Sequence, residues 1–222
     1  MVLNIEKIKV PASLGQRAYE TIKESILKID MTKEKNEDRI DERSIAEKLG
    51  ISRTPLREAI NRLVIEGFLK VVPRRGIYVV KKSRAEIVEI LLVRSVLEGL
   101  AARLAAKNVA EKDIQDMKQI FQDFDASNIK AKFLKYSEAN TKFHELVLRA
   151  SQCEKLIESA GNIFDHMRWI RFQAVVFKER LIKSHREHLQ IIEALEEREG
   201  QLAERLMKDH IESLAHYIEM GK

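Results

Sequence analysis

Residues that interrupt helices or form the disulfides of small secreted proteins are scarce in this sequence of 222 residues. It has one cysteine, three prolines and eight glycines. A single cysteine, Cys153, cannot form an internal disulfide, which excludes a disulfide-stapled scaffold and favours a reducing compartment. The longest apolar runs, at 90–93 and 174–177, are much shorter than the roughly 18 residues that cross a bilayer. The charge-bearing N-terminal segment lacks the apolar core of a secretory signal, so we expect a cytoplasmic protein with no membrane partner.

The charge is distributed unevenly along a chain whose composition favours helices. Alanine, leucine, glutamate, lysine and arginine are abundant, which predicts a mostly α fold. The net charge is +5, of which residues 1–80 carry +4. Within residues 53–75 there are six basic side chains and two acidic ones. A basic patch confined to one short segment indicates a polyanionic partner, although a solvated charged surface would look the same in isolation.

Two short helical patterns joined by a glycine-containing turn follow an amphipathic segment at Leu14–Ile29. Asp41 can cap a helix at Glu42–Leu49, and Gly50 suits the left-handed position that ends it. Ser52 can cap a second helix, which carries a proline in its first turn, where the missing N–H does no harm. This spacing predicts a helix-turn-helix.

Two apolar, β-branched segments, Phe68–Val72 and Ile77–Val80, come next. Between them lies Pro73–Gly76, which contains two arginines. This pattern predicts a two-stranded hairpin, or wing, with a basic tip. We expect the polar run Asp30–Asp41, which precedes the helix pair, to be a solvated loop. A helix-turn-helix followed by a basic hairpin is a winged helix, an arrangement typical of DNA-binding proteins.

The second helix of the pair carries polar side chains on the side opposite its apolar residues. At about 100° per residue, the side chains that point away from the apolar face are Arg53, Thr54, Arg57 and Asn61. Arginine can bind guanine through two hydrogen bonds, and Ser52 and Thr54 near the helix N-terminus suit phosphate contacts. The alternative is an exposed pair, Arg53 and Arg57, without a partner, but like charges at this spacing repel. We therefore predict a DNA-reading helix.

The stretch Ile40–Val80 resembles the DNA-binding domain of the GntR family of bacterial transcription regulators. The motif runs through Glu42–Ala46, Gly50–Ala59, Leu63 and Glu66–Gly67. The resemblance implies that both helices contact operator DNA and that the wing reaches into the minor groove. With Ser52 added from its position, the predicted DNA-binding residues are Arg43, Ser52, Arg53, Thr54, Arg57, Arg75 and Gly76.

Helix follows helix after a short basic connector at residues 81–85, since no proline interrupts the chain beyond Pro73. Six helices in this length predict an all-α bundle at 86–222, beside a DNA-binding domain at 1–80. Arg94 points into the apolar stripe of the first helix, so it needs a partner, either Glu98 or a ligand carboxylate. The periodic segments are Arg84–Lys107, Glu111–Ser127, Ile129–Ser151, Glu154–Phe177, Glu179–Arg198 and Gly200–Met220.

Three histidines lie on or beside apolar helix faces: His144, His188 and His210. Neutral imidazoles from three helices can bind a divalent metal inside a bundle. The alternative is that each is an ordinary buried histidine with a hydrogen-bond partner. The residues alone leave both interpretations open.

This half of the chain also resembles the FCD effector-binding domain of FadR-type regulators. Many such domains bind a metal through one aspartate and three histidines. The resemblance assigns the metal, zinc or nickel, to His144, His188 and His210, with Asn140 in the place of the aspartate. A neutral amide is a weaker ligand than a carboxylate. Effector binding is assigned to the same four residues and Arg94. The matching motifs are Arg94-x-x-Leu97-Glu98, Phe143-His144, Glu187-His188 and Met207-x-x-His210.

Together these features predict a transcriptional regulator, expected to be a repressor, that binds double-stranded operator DNA and a small carboxylate effector. A homodimer is expected because a two-fold dimer doubles the contacts on a palindromic operator. The effector would alter operator affinity through the placement of the two winged helices. Two alternatives stay open. One is a metal-dependent enzyme built on the histidines, for which no general base or nucleophile is evident; the other is a DNA-binding dimer without an effector.

Overall fold

The computed structural model describes residues 13–29, 39–172 and 180–220. The chain forms two compact units, Met1–Lys81 and Lys82–Lys222. The first holds a small antiparallel sheet and short helices, and the described part of the second is helical. This confirms the predicted fold class, a mostly α protein with a winged helix-turn-helix ahead of a helical bundle.

The first unit contains a helix-turn-helix followed by a wing. Its described elements are α1 (Leu14–Leu27), β1 (Arg39–Ile40), α2 (Glu42–Leu49), α3 (Arg53–Ile65), β2 (Leu69–Val72) and β3 (Gly76–Val79). The Asp41 carboxylate accepts hydrogen bonds from the amides of Arg43 and Ser44, and so caps α2. Gly50 ends α2 with a φ of 63°, a left-handed conformation that glycine adopts without strain. The predicted turn between α2 and α3 is confirmed.

Helix α3 packs on α1 through the face that the apolar spacing predicted. The buried residues of α3 are Leu56, Ala59, Ile60 and Leu63. Just after α3, Glu66 accepts hydrogen bonds from the Tyr19 hydroxyl and from Lys23 Nζ, each at 2.7 Å. Both donors lie on α1, so this partly buried network fixes the C-terminal end of α3 and with it the direction of the helix.

The sheet overturns one prediction. Its order is β1-β3-β2, and both pairings are antiparallel. Arg39 pairs with Tyr78 and Ile40 with Ile77, so the end of the run Asp30–Asp41 is a strand, and the predicted loop is wrong there. A two-residue strand is too short to show alternation, and it forms because it covers an edge of β3 that would otherwise be open. Residues 30–38 of that run lie outside the described residues.

The second unit is built from six described helices. They are α4 (Arg84–Asn108), α5 (Glu111–Phe121), α6 (Phe133–Ala150), α7 (Glu154–Phe172), α8 (Leu181–Glu196) and α9 (Gly200–Glu219). The predicted helix Glu111–Ser127 ends early, and the next begins after Ile129. The reason is Asp125, whose carboxylate accepts hydrogen bonds from the amides of Ser127 and Asn128 and so forms a turn. Residues 173–179, where two predicted helices meet, lie outside the described residues.

The long helices α4 and α9 pack against each other along the centre of this unit. The approach is close, since a Cβ on Gly200 would lie 3.1 Å from the carbonyl oxygen of Arg103. Helices α6 and α8 complete the core with buried residues such as Phe143 and Ile191. Of the helices that the structure describes, none combines the length and hydropathy needed to cross a membrane.

Candidate functional site

The exposed side of α3 carries the side chains that were predicted to contact DNA. Arg53, Thr54, Arg57 and Asn61 are all exposed, whereas Leu56, Ala59, Ile60 and Leu63 are buried on the other side of the helix. Ser52 precedes α3 in an extended conformation, and within the described residues its side chain makes no capping bond. Its hydroxyl is therefore free to bind an anion at the helix N-terminus, where the backbone amides also favour negative charge.

Two carboxylates lie beside the cations of this surface. Arg57 Nε donates to Glu42 at 3.5 Å, and Arg43 Nε, on α2, donates to Glu47 at 3.0 Å. The two arginine side chains are 67% and 81% exposed, respectively. Exposed ion pairs of this kind contribute at most about 1 kcal/mol. Either arginine can therefore exchange its carboxylate for a phosphate or a base edge at small cost.

The wing tip is a tight turn at residues 73–75. Arg74 has a left-handed φ of 63°, and the next residue, Arg75, is exposed. Gly76 follows with a φ of 121°, and a Cβ there would lie 3.0 Å from Arg39 Nε. Gly76 thus allows the positive φ that the turn requires, and its missing side chain leaves room for Arg39. Arg39 is an exposed cation beside the wing that sequence reasoning missed, because it lies in the run that was predicted to be a loop.

A pocket opens in the helical unit between α4, α6, α8 and α9. Its empty volume is about 600 Å³, counted out to the open mouth. Two arginines and no carboxylate are among the described residues that line it, so its wall favours an anion. The polar lining residues are Arg94, Tyr136, Ser137, Asn140, His144, Arg180, Ser184 and His210.

The buried partner of Arg94 is Glu98, one of the two partners that the sequence predicted for it. Arg94 Nε donates to Glu98, and the two side chains are only 4% and 1% exposed. The second carboxylate oxygen of Glu98 accepts a hydrogen bond from Nδ1 of His144, on α6. Burial on its own raises the pKa of the Glu98 carboxyl, but Arg94 and His144 outweigh it and lower the pKa to about 2. Glu98 is thus a buried anion that links Arg94 to a histidine.

Each of the three predicted ligand histidines is held through its Nδ1 atom. Besides the bond from His144, Tyr136 Oη lies 3.0 Å from His188 Nδ1, and Glu187 Oε2 lies 2.7 Å from His210 Nδ1. Contacts of this kind orient the rings. The carboxylates of Glu98 and Glu187 can only accept, so they keep the proton on Nδ1 of His144 and of His210 and leave the Nε2 lone pair for a metal. The Tyr136 hydroxyl can donate or accept, so it orients the His188 ring without fixing where its proton lies. Nε2 of His144 and Nε2 of His188 are buried and have no hydrogen-bond partner among the residues that the structure describes.

The same three histidines are neutral and close together. Burial lowers the pKa of His144 to about 3, and it lowers the pKa values of His188 and His210 as well. One nitrogen from each ring lies within 4.8 Å of the others. Three neutral imidazoles this close together fit a divalent metal such as zinc or nickel. Asn140 lines the same pocket, whereas His188 is fully buried and lies behind the lining.

Arg180 is a pocket residue that sequence reasoning missed. Its Nη2 donates to Glu187 at 2.8 Å and to the carbonyl oxygen of His210 at 2.9 Å. Its Nε is buried and has no hydrogen-bond partner within residues 13–29, 39–172 and 180–220. Burial lowers the pKa of the guanidinium, although an arginine stays protonated in proteins. Periodicity could not identify Arg180, because it stands just before α8 and not on a helix face.

Two family models match the chain, one in each unit. Residues 14–79 match the bacterial regulatory proteins of the gntR family, and residues 89–213 match the FCD domain. The first match contains every predicted DNA-binding residue, and the second contains every predicted effector and metal ligand.

Curated relatives match most of the chain. The Nta operon transcriptional regulator of Aminobacter aminovorans is 31% identical over 177 residues, which are 79% of this chain and 81% of that protein. The HTH-type transcriptional repressor RspR of Escherichia coli is 27% identical over 182 residues, which are 81% of this chain and 78% of RspR.

Solved structures support the fold. McbR/YncC of E. coli has a TM-score of 0.69 and 20% identity, and the match covers 94% of this chain and 98% of that one. A GntR regulator of Rhodococcus sp. RHA1 has a TM-score of 0.72 and 18% identity over the same shares of the two chains. At these identities the similarity concerns the fold alone.

Proposed function

The chain is a DNA-binding transcriptional regulator of the GntR family with an FCD effector-binding domain, and we propose that it is a repressor dimer whose operator affinity is set by a small carboxylic acid. The proposal rests on one observation, the set of residues that line the pocket. Two arginines and two of the three clustered neutral histidines line it, and no carboxylate is among the described lining residues. The curated relatives are regulators and not enzymes, and RspR is named as a repressor. The enzyme alternative is thereby dropped.

In the proposed operator complex, α3 lies in the major groove. Arg53, Thr54 and Arg57 contact base edges there, since they form the exposed side of the helix. Ser52 and Arg43 contact phosphates, because one lies at the helix N-terminus and the other on the preceding helix. The wing tip at Arg75–Gly76 enters the minor groove. A two-fold dimer would place two such units on a palindromic operator.

The proposed metal, zinc or nickel, is held by His144, His188 and His210, with Asn140 beside them. Support comes from the buried Nε2 atoms of His144 and His188, which have no hydrogen-bond partner among the described residues, and from the Nδ1 contacts that hold the rings. Bound there, a divalent ion would supply a positive charge and a Lewis-acid site for a carboxylate. Because Asn140 is neutral, the set of ligands from the chain adds no negative charge of its own.

The charges around the pocket support an anionic effector. Arg94 is balanced by Glu98 and Arg180 by Glu187, and both carboxylates lie behind the lining residues. The charge of a bound divalent ion would therefore be left for the effector to balance. Arg94 and Arg180 are placed to donate hydrogen bonds to such an acid, and the buried Nε of Arg180 has no partner in the described part of the chain.

The metal is tested by measuring the metal content of the tag-free protein, purified without chelators. About one divalent ion per chain is expected in the parent protein, and a loss is expected in His188→Ala, since three imidazoles are needed when Asn140 contributes no charge. Asn140→Asp is expected to bind the ion more tightly. His216→Ala is the matched control, because His216 is an exposed histidine of α9. Metal found in Asn140→Asp and absent from the parent would contradict the proposed site.

The effector is tested by thermal shift, with mono-, di- and tricarboxylic acids of up to six carbons, and then by operator titration. We expect at least one acid to stabilise the parent and to change its operator affinity about tenfold or more. Such a change requires that the acid binds one state of the dimer better than the other. His188→Ala is expected to lose the response. If no acid stabilises the parent, the alternative of a DNA-binding dimer without an effector is favoured.

A further inference from the structure

The outer face of α4 leaves large apolar side chains in solvent. Leu92, Val93 and Val96 are 50%, 52% and 60% exposed. The other face of the same helix is buried and includes Arg94 and Glu98. Contiguous exposed apolar side chains on a folded chain mark a surface that another molecule covers. What covers this face is indicated by the residues that flank it.

The apolar residues of this face are arranged symmetrically about Val96, and charges of opposite sign lie at its two ends. Leu92 and the partly buried Leu100 lie four residues before and after it, and Glu89 and Arg103 lie seven residues before and after it. Residues separated by three, four and seven positions share one side of a helix, so these five residues form a single stripe. Its centre is apolar, and its two ends carry opposite charges.

We infer that two copies of this chain pair through the outer face of α4, in antiparallel orientation, about a two-fold axis at Val96. This inference rests on the proposed dimer and names its interface. In a two-fold interface each residue meets the one equally far on the other side of the axis. Leu92 then meets the partner subunit's Leu100, and Glu89 meets the partner subunit's Arg103. A parallel pairing would bring Glu89 against Glu89, which is repulsive.

Both charged ends are available for this contact. Glu89 is exposed, and Arg103 is 47% exposed even though its Nη1 donates to Glu204 of its own chain at 3.1 Å. A guanidinium has five N–H donors, so Arg103 can bind a second carboxylate without releasing the first. The successive spacings of three, four, four and three residues are also symmetric about Val96, as a two-fold axis there requires.

The interface would place the dimer contact and the pocket on one helix. Arg94 and Glu98 connect the inner face of α4 to the histidines, while Val96 lies between them on the outer face. A helix moves as a rigid element, so an acid that displaces Arg94 also displaces the contact at Val96. This gives the proposed effector a direct route to the arrangement of the two protomers.

Cross-linking at the predicted axis tests the inference. In a Val96→Cys/Cys153→Ser variant, the two introduced thiols would face each other, so a short bis-maleimide is expected to convert most of the protein into a covalent dimer at micromolar concentration. Gln119→Cys/Cys153→Ser carries an exposed thiol on α5 and is expected to stay uncross-linked. A dimeric parent whose Val96→Cys variant does not cross-link would overturn the interface and leave the proposed function standing. A monomeric parent would overturn both.

Charge reversal tests the register. Glu89→Arg and Arg103→Glu each place like charges together at both ends of the interface, so each is expected to raise the dimer dissociation constant about tenfold or more, measured by sedimentation. The double variant restores opposite charges and is expected to return to within about threefold of the parent. The intrachain contact with Glu204 is present in monomer and dimer alike, so it largely cancels. Additive losses in the double variant would overturn the pairing of Glu89 with Arg103.

Discussion

Replacing Arg94 by alanine is expected to lower the free energy of unfolding by about 3–5 kcal/mol, because it leaves Glu98 as a buried anion without its main counter-charge. Both side chains are nearly inaccessible to water. The pKa of Glu98 is lowered to about 2, so the carboxylate stays ionised at neutral pH even though burial opposes its charge. In the parent protein burial keeps the His144 ring neutral, so its hydrogen bond to Glu98 brings no counter-charge. Urea or thermal unfolding of the two proteins would measure the loss.

Two variants separate this effect from a general loss of packing. Arg94→Met/Glu98→Gln removes both charges, keeps much of the volume and leaves an acceptor for His144, so it is expected to recover most of the stability. Arg43→Ala breaks an exposed pair at the same spacing of four residues and should cost less than about 1 kcal/mol. A loss below 1 kcal/mol in Arg94→Ala would show that the buried pair contributes little. For measurements of effector binding, Arg94→Lys is a better variant than Arg94→Ala, because it keeps a positive charge beside Glu98.

The helix-turn-helix could be predicted from the sequence because its determinants act over a few residues. Asp41 caps α2 through the amides of its own next neighbours, and Gly50 adopts the left-handed conformation that ends the helix. The buried face of α3 follows from the spacing of its apolar residues alone. Strand β1 could not be predicted, since two residues carry no alternation and their partners Ile77 and Tyr78 are almost forty positions away.

The pocket could be predicted only in part. Periodicity places the three histidines on inner helix faces, because a face depends on spacing within one helix. Their contacts depend instead on how helices meet: Glu98 and His144 are 46 residues apart, and Tyr136 and His188 are 52 apart. The residues that hold the histidine rings, and Arg180 at the pocket wall, therefore follow from the packing and not from any local pattern.

Replacing both Arg53 and Arg57 by alanine is expected to abolish specific operator binding. Each arginine that contacts guanine contributes about 1–3 kcal/mol of discrimination, so the pair would contribute about 2–6 kcal/mol. Operator DNA would first be selected from a random pool with the parent protein. Competition between that operator and unrelated DNA, at one fixed salt concentration, then gives the specificity ratio, which is expected to fall by at least about thirtyfold.

The double variant should remain folded, since both side chains are exposed and the contact of Arg57 with Glu42, at 3.5 Å, is long. The matched control is Arg17→Ala, which removes an exposed arginine from α1 in the same unit, and its specificity ratio should stay within about threefold of the parent. Weaker binding to all DNA with an unchanged ratio would mean that the two arginines contact phosphates. The bases would then be contacted by other exposed residues, of which Thr54 and Asn61 lie on the same side of α3 and Arg39 lies beside the wing.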